Sequence, residues 1–217
     1  MNRNLQSLVL SGAVLASALV GLSGCAPLIV GGAVMTGVVA TDRRTAGAQV
    51  EDEAIELKVA SAVRKDLGER VHLNVTSFNR KVLLTGEARS QADKERAEKL
   101  AQSQENVQSI VNDLVVAPPS SLTQRSKDVV ITSQAKAAFI DAKDLQVNAI
   151  KVVTERGAVY LMGRVTAREA KRASDIVRGI GGVTKVVRVF DEISEEELKR
   201  LSPVSYTHLR AHETKAN

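Results

Sequence analysis

The chain has 217 residues, with 30 Lys and Arg against 25 Asp and Glu, a formal charge of +5 and a sequence pI near 9.4. The excess is local: residues 51–116 carry 10 basic and 12 acidic side chains, a net of −2, whereas residues 125–193 carry 13 and 8, a net of +5. With no Trp, 2 Tyr and 3 Phe, this balance excludes a base-stacking nucleic-acid binder and points to one anion-facing domain.

Residues 1–24 have the three parts of a secretory signal peptide: Arg3 beside the amino terminus, the uncharged run LVLSGAVLASALVGL (8–22), and small residues behind it. The chain's one cysteine, Cys25, follows in GLSGCAPL (21–28). A single cysteine makes no internal disulfide, and no His, Asp or Glu clusters around it to suggest a metal site. Leu22-Ser23-Gly24-Cys25 matches the bacterial lipobox, in which the sulfur takes up a diacylglyceryl group and the cysteine becomes the first mature residue. Lipidation is therefore expected at Cys25. The uncharged run from Leu5 to Thr41 exceeds the ~20 residues that span a bilayer, but its many Gly and Ala residues and Pro27 oppose one continuous helix. Residues 25–50 are expected to be the lipidated cysteine and an apolar tether, and Ala26, where an Asp would favour retention elsewhere, fits sorting to the outer membrane.

In residues 51–116, Ile55, Val59, Ala62/Val63 and Leu67 recur at helical spacing, which predicts a helix over 53–67. Val71, Leu73 and Val75 alternate as a strand, and a turn at 77–80 leads to a second strand with Val82 and Leu84. Ser90-Gln91-Ala92-Asp93 has the form of a capping box opening a helix with Ala97, Leu100 and Ala101 on one face. A last strand is predicted over 107–116. The stretch APPSSLTQ (117–124) reads as a short stiff linker.

Residues 125–193 repeat the pattern. Val82 falls on Val159, Leu84 on Leu161 and Gly86 on Gly163 at an offset of 77. Ser90 falls on Thr166, Ala97 on Ala173, Val107 on Val183 and Ile55 on Ile131 at an offset of 76. The predicted elements are a helix over 128–141, strands near 147–154 and 158–165, a helix after the box Thr166-Ala167-Arg168-Glu169, and a strand over 183–190. Each copy is thus α-β-β-α-β, an α+β fold with two helices on one face of a three-stranded mixed sheet, its parallel pair joined by a right-handed crossover. Gly86 and Gly163 end the second strand, where a bulge or a close approach excludes a side chain. Residues 194–217 are a C-terminal tail. Within it PVSYTHLRAHETKAN (203–217) resembles a translated sequencing adapter and is expected to be artefactual, so His208 and His212 suggest no metal site.

VLLTGEA and VYLMGRV, each followed by a helix and a GVTKVV-like strand, resemble the BON domain, most specifically in TERGAVYLMGRVTAREAKRASDI (154–176). Two such units behind a lipobox resemble the dual-BON outer-membrane lipoproteins. The resemblance implies a lipid-anchored protein facing the periplasm, without catalytic activity or cofactor, that supports envelope integrity. It also implies that the first helix of the second BON domain contacts anionic phospholipid such as phosphatidylglycerol. On KDVVITSQAKAAFIDAKD (127–144) this places Lys136 at the headgroups and Val130 and Ile140 in the interface, with Val130 standing where the family pattern has Trp.

The residues themselves are consistent with a non-enzyme: no paired nucleophile and base, phosphate loop or metal spacing is present, and His72 lies in an alternating strand. The acids at 51–53 and 195–197 read as solvated helix ends. Lys127, Lys136, Lys143, Lys151 and Arg156 are candidate headgroup cations. The competing reading is a periplasmic scaffold that docks on outer-membrane assembly machinery through the sheet face of the first domain that its helices leave uncovered, bearing Asn74, Thr76, Lys81, Leu83 and Thr85.

Overall fold

The computed structural model describes residues 42–201; the signal segment, Cys25, the tether up to Thr41 and residues 202–217 lie outside the described residues. The first unit runs α1 (Ala46–Leu67), β1 (Val71–Phe78), β2 (Lys81–Ala88), α2 (Gln91–Gln102), β3 (Ser109–Asn112) and β4 (Val115–Val116). The second runs α3 (Leu122–Asp141), β5 (Ile150–Glu155), β6 (Ala158–Val165), α4 (Ala167–Arg178) and β7 (Lys185–Glu192), and α5 (Glu195–Leu201) follows. In each unit the first two strands pair antiparallel and the last pairs parallel with the middle strand. The α-β-β-α-β order and the mixed sheets are as the sequence predicts.

Both first helices start earlier than their core periodicity. Thr45 Oγ1 accepts from Ala48 N and Ser121 Oγ accepts from Gln124 N, so each helix gains extra turns that bury little and leave no apolar rhythm in the sequence. For α3 those turns take up the end of the stretch that reads as linker. Ser90 and Thr166 both cap their helices as expected, but the box closes only at Thr166, where Glu169 accepts from Thr166 N; Asp93 accepts from the Ser90 hydroxyl instead. The last strand of the first unit is broken at Asp113 and Leu114: Leu114 turns into the core while Asp113 reaches the second unit.

The two strand glycines are explained by the backbone beside them, β1 for Gly86 and the turn just ahead of β5 for Gly163. A β-carbon on Gly86 would lie 2.1 Å from His72 O, and one on Gly163 2.2 Å from Ala149 O. The close approach is therefore by backbone carbonyl, not by a helix.

Ile55, Val59, Val63, Leu67, Val82 and Leu84 form the helix-facing core of the first unit, and Ile131, Ala135, Phe139, Val159, Leu161 and Val177 that of the second. A third cluster joins the units: Phe78 and Leu83 pack against Tyr160, Met162 and Val189. The sheet faces away from the helices thus meet, which gives a helix–sheet–sheet–helix stack. This corrects the expectation of a free sheet face on the first unit. Leu83 and Thr85 are buried, Asn74 donates to Glu155 at 2.8 Å, and Lys81 pairs with Asp191 at 2.7 Å. A scaffold reading would need some other docking surface.

The acids at 51–53 are a second correction. Asp52 is buried and accepts from Ser77 Oγ, Asn79 N and Arg80 N at 2.7, 2.7 and 2.8 Å. Asp128 does the same work in the second unit, accepting from Arg156 N at 2.9 Å and Gly157 N at 2.8 Å. Each first helix therefore holds the tip of its own hairpin, where Asn79, Arg80, Arg156 and Gly157 all take positive φ. The acids at 195–197 do form the first turn of α5.

Ahead of α1, two consecutive arginines staple the units. The Arg43 guanidinium donates to both carboxylate oxygens of Glu169 at 2.8 Å, to Arg164 O at 2.7 Å and to Gln146 Oε1 at 3.3 Å. Arg44 pairs with Asp42 and Asp52, and its guanidinium lies 4.1 Å from the centre of the Phe78 ring. Both cores, the layer between the sheets and both staples lie within residues 42–201, so this span is a self-sufficient folding unit.

Arg43→Ala leaves Glu169 buried without its charge partner. Unfolding by urea at neutral pH is expected to show a loss of roughly 3 kcal/mol. A change no larger than that of an exposed ion pair, below about 1 kcal/mol, would mean the arginine only decorates the surface.

Candidate functional site

The structure puts Val130, Lys136 and Ile140 on α3. The core side of this helix is Asp128, Ile131, Ala135 and Phe139. At about 100° per residue the side opposite the core is an apolar stripe about 100° wide, from Val129, Leu122 and Ile140 on one flank to Val130 on the other, with Lys136 at the Val129 edge. All are exposed: Leu122 by 81%, Val129 by 65%, Val130 by 54% and Ile140 by 67%. Leu122 lies six residues ahead of the helix start that the sequence predicts, 128, so the stripe gains a member from a turn that core periodicity does not mark. Nothing in the residues alone separated Val129 from the core set.

The candidate cations divide. Lys127, Lys136 and Lys143 are exposed and hold no ion pair or hydrogen bond through their ammonium groups among the described residues. Lys151 and Arg156 are engaged at the domain junction. Lys151 pairs with Glu56 at 3.0 Å and Arg156 with buried Glu87 at 3.1 Å. Arg125, whose Nε donates to Ser120 Oγ at 3.2 Å, carries no carboxylate partner and adds a cation near the helix start. His72 is half-exposed and its Nδ1 lies 2.9 Å from Glu87. No group of three or more His, Cys, Asp or Glu able to hold a metal occurs among the described residues.

Lys136 stands on one wall of a cleft between the units whose other lining includes Arg125, His72, Asp128 and Glu155. Glu155 is buried, with Asn74 as its hydrogen-bond donor and no cation paired to it. Burial pushes its carboxyl up, and the nearby Glu87 and Asp128 charges add to this against the pull of Asn74 and His72. Elsewhere burial is outweighed: Arg43 and the Thr166 amide hold Glu169 below the usual carboxylate range, and the Arg80 amide, Ser77 and Arg44 do so for Asp52.

A family model described as the BON domain matches residues 51–118 and 127–191. The chain is 40% identical over 181 residues to "Outer membrane lipoprotein DolP" of Haemophilus influenzae, covering 82% of this chain and 93% of that protein. It is 35% identical over 154 residues to "21 kDa hemolysin" of Actinobacillus pleuropneumoniae, covering 70% and 79%. To "Osmotically-inducible protein Y" of Escherichia coli it is 32% identical over 141 residues, covering 63% and 70%.

The carboxyl groups give opposite pH signatures. Asp52 and Glu169, with lowered values, contribute stability that is present above the unfolded carboxylate range and is lost as pH falls through their folded values. Glu155, with a raised value, penalises the folded state above its folded value, and acid relieves the penalty. Glu155→Gln keeps an acceptor for Asn74 and removes the charge. It is expected to stabilise by on the order of 1 kcal/mol near pH 7, with the gain fading toward about pH 4. Thermal melts of both proteins across that range check it, and an equal gain at every pH would assign the effect to packing.

Proposed function

Because the chain belongs to the BON-domain family and carries two copies of the domain, we propose that it is a non-catalytic outer-membrane lipoprotein, anchored through Cys25 and facing the periplasm. Its second domain contacts anionic phospholipid, such as phosphatidylglycerol, through the outer side of α3, and in this way it supports envelope integrity. The lipobox and the relative named as an outer membrane lipoprotein support the first part. One observation carries the second: Leu122, Val129, Val130 and Ile140 stand exposed together on the outer side of one helix, with the free ammonium of Lys136 at its edge. Scattered exposed apolar residues need no explanation, whereas an apolar stripe bordered by unpaired cations matches an interfacial helix.

Magnitudes define how such a contact works. A basic side chain near an anionic surface contributes ~1 kcal/mol. Arg125, Lys127, Lys136 and Lys143 together then supply roughly 4 kcal/mol, a millimolar affinity. That is too weak to retain a free protein at a membrane. A chain already held by its acyl anchor samples the surface at high effective concentration, and a weak contact then suffices to orient it and to sort it among lipids. Val130 in place of the family's Trp removes an aromatic that favours the interface.

Residues 42–201, free of the anchor, are expected to float with phosphatidylglycerol-rich vesicles at low salt, and much less at physiological salt or with zwitterionic vesicles. Ile140→Asp is expected to weaken flotation about tenfold, and Val130→Trp to strengthen it several-fold. No flotation of the parent protein at about 5 mM lipid, a concentration at which millimolar binding is visible, would overturn the reading.

A further inference from the structure

A second cleft, of about 550 Å³, flanks the stripe on the Val130 side. Its walls are the first half of α3, the hairpin tip Arg156–Gly157 and the loop 181–184. We propose that this cleft is the seat of the headgroup phosphodiester, an inference that rests on the lipid reading above. Lys127, Gln134, Arg156, Gly181, Gly182 and Thr184 line it, and it has no acidic side chain along its walls.

The contrast with the Lys136 cleft decides the choice. There an anion meets Asp128 and the unpaired, buried Glu155. Here it meets Lys127, which holds no partner among the described residues, and Arg156, which uses one Nη on Glu87 and keeps its other donors. The Gln134 amide and the Thr184 hydroxyl make no hydrogen bond to another described group, and neither do the backbone amides of Gly181 and Gly182. A β-carbon on Gly181 would find nothing within 4 Å, so the backbone there lies open to the cleft. Val130 and Ile131 supply an apolar floor on the side of the exposed stripe. A phosphodiester with a glyceryl arm fits this combination of cations, neutral donors and apolar floor.

The walls are fixed relative to one another before any ligand arrives. Asp128 on α3 holds the Arg156 and Gly157 amides, and Thr184 N donates to Gly157 O at 2.9 Å. Gly182 sits against Ile131 with φ +90, where a β-carbon would come within 3.2 Å of Ile131 Cδ1. Helix, hairpin tip and loop are therefore one preorganised frame, and little ordering opposes binding.

The test uses residues 42–201 with two probes, phosphatidylglycerol-rich vesicles and soluble glycerophosphoglycerol. Gly181→Asp places a carboxylate in the open cleft, where the fold has room for it, and Lys127→Glu reverses a free cation. Each is expected to weaken vesicle binding about tenfold or more, with melting temperatures near the parent's, while Lys136→Glu weakens it less. Glycerophosphoglycerol at millimolar concentration is expected to shift the Gly181 and Gly182 amide resonances, and Gly181→Asp to abolish the shift. If vesicles bind but Lys127→Glu, Gly181→Asp and Lys136→Glu weaken them equally, the seat is wrong and the lipid reading stands. If the soluble diester binds at Gly181 while vesicles do not, the seat holds a free phosphodiester and the lipid reading falls. If neither probe binds, both fall.

Discussion

Each sheet in this protein has three lanes of strand, and its middle strand is apolar on both faces. In β2, Val82 and Leu84 meet the helices while Leu83 points the other way; in β6, Val159 and Leu161 do the former and Tyr160 and Met162 the latter. Two helices cover one face of such a sheet and leave the other wet. That second face must be buried, and in this chain each unit buries it on the other. Face-to-face pairing of the sheets then dictates which surfaces remain. It consumes the strand face of the first unit and ties Lys151, Arg156, Lys81 and Lys185 into ion pairs across or beside the seam. The outer sides of the helices are left to meet anything else, and the largest exposed apolar residues of the second unit fall there.

Buried carboxylates do much of the positioning. Asp52 and Asp128 stand at matching places in the two copies, and each ties a helix to a hairpin tip in the left-handed backbone region. A buried carboxylate that accepts backbone N–H groups rather than a flexible side chain fixes the tip closely. In the second copy the tip carries Arg156, so the same bond that closes the fold also sets a guanidinium beside α3. Glu169 shows a related economy: it completes the capping box of α4 and receives Arg43 from the segment ahead of α1.

What the sequence made legible was local. The helix cores at Ile55, Val59 and Leu67, the alternating strands at Val82 and Leu84, and the caps at Ser90 and Thr166 all follow from spacing within a few residues. The two glycines were legible as positions without room, though not the carbonyls that fill the room. The early helix starts were hidden because Thr45 and Ser121 cap turns that face solvent. Leu83, Tyr160 and Met162 announce that their sheet face is apolar, but not what covers it. The partners of Arg43, Lys151 and Arg156 lie 126, 95 and 69 residues away along the chain, so neither composition nor period separates these cations from free ones. The family resemblance, by position, points to Lys136 rather than Lys127, and the proposed seat favours Lys127. Their difference lies in Glu155, which folding brings beside the Lys136 cleft and away from the other.

For a chain anchored as proposed, the staple at Arg43 and Arg44 bears on how the folded unit meets the membrane. Arg43 docks on Gln146, Arg164 and Glu169 and so brings the chain in beside the segment that follows α3. Sixteen residues separate Cys25 from Asp42, which at full extension reach roughly 60 Å. A tether of that length attached at a random point of the surface would let the folded unit present any side to the bilayer. On the proposed anchoring, entry at Gln146, Arg164 and Glu169 in the second unit restricts which sides the folded unit presents. The proposed millimolar contact then needs to supply only the remaining part of the orientation. On the proposed reading, the division follows from the physics of weak interfaces: acyl chains at Cys25 supply residence, the arginine staple restricts orientation, and α3 is left with discrimination among headgroups, for which weak and rapidly reversible contact is the suitable regime.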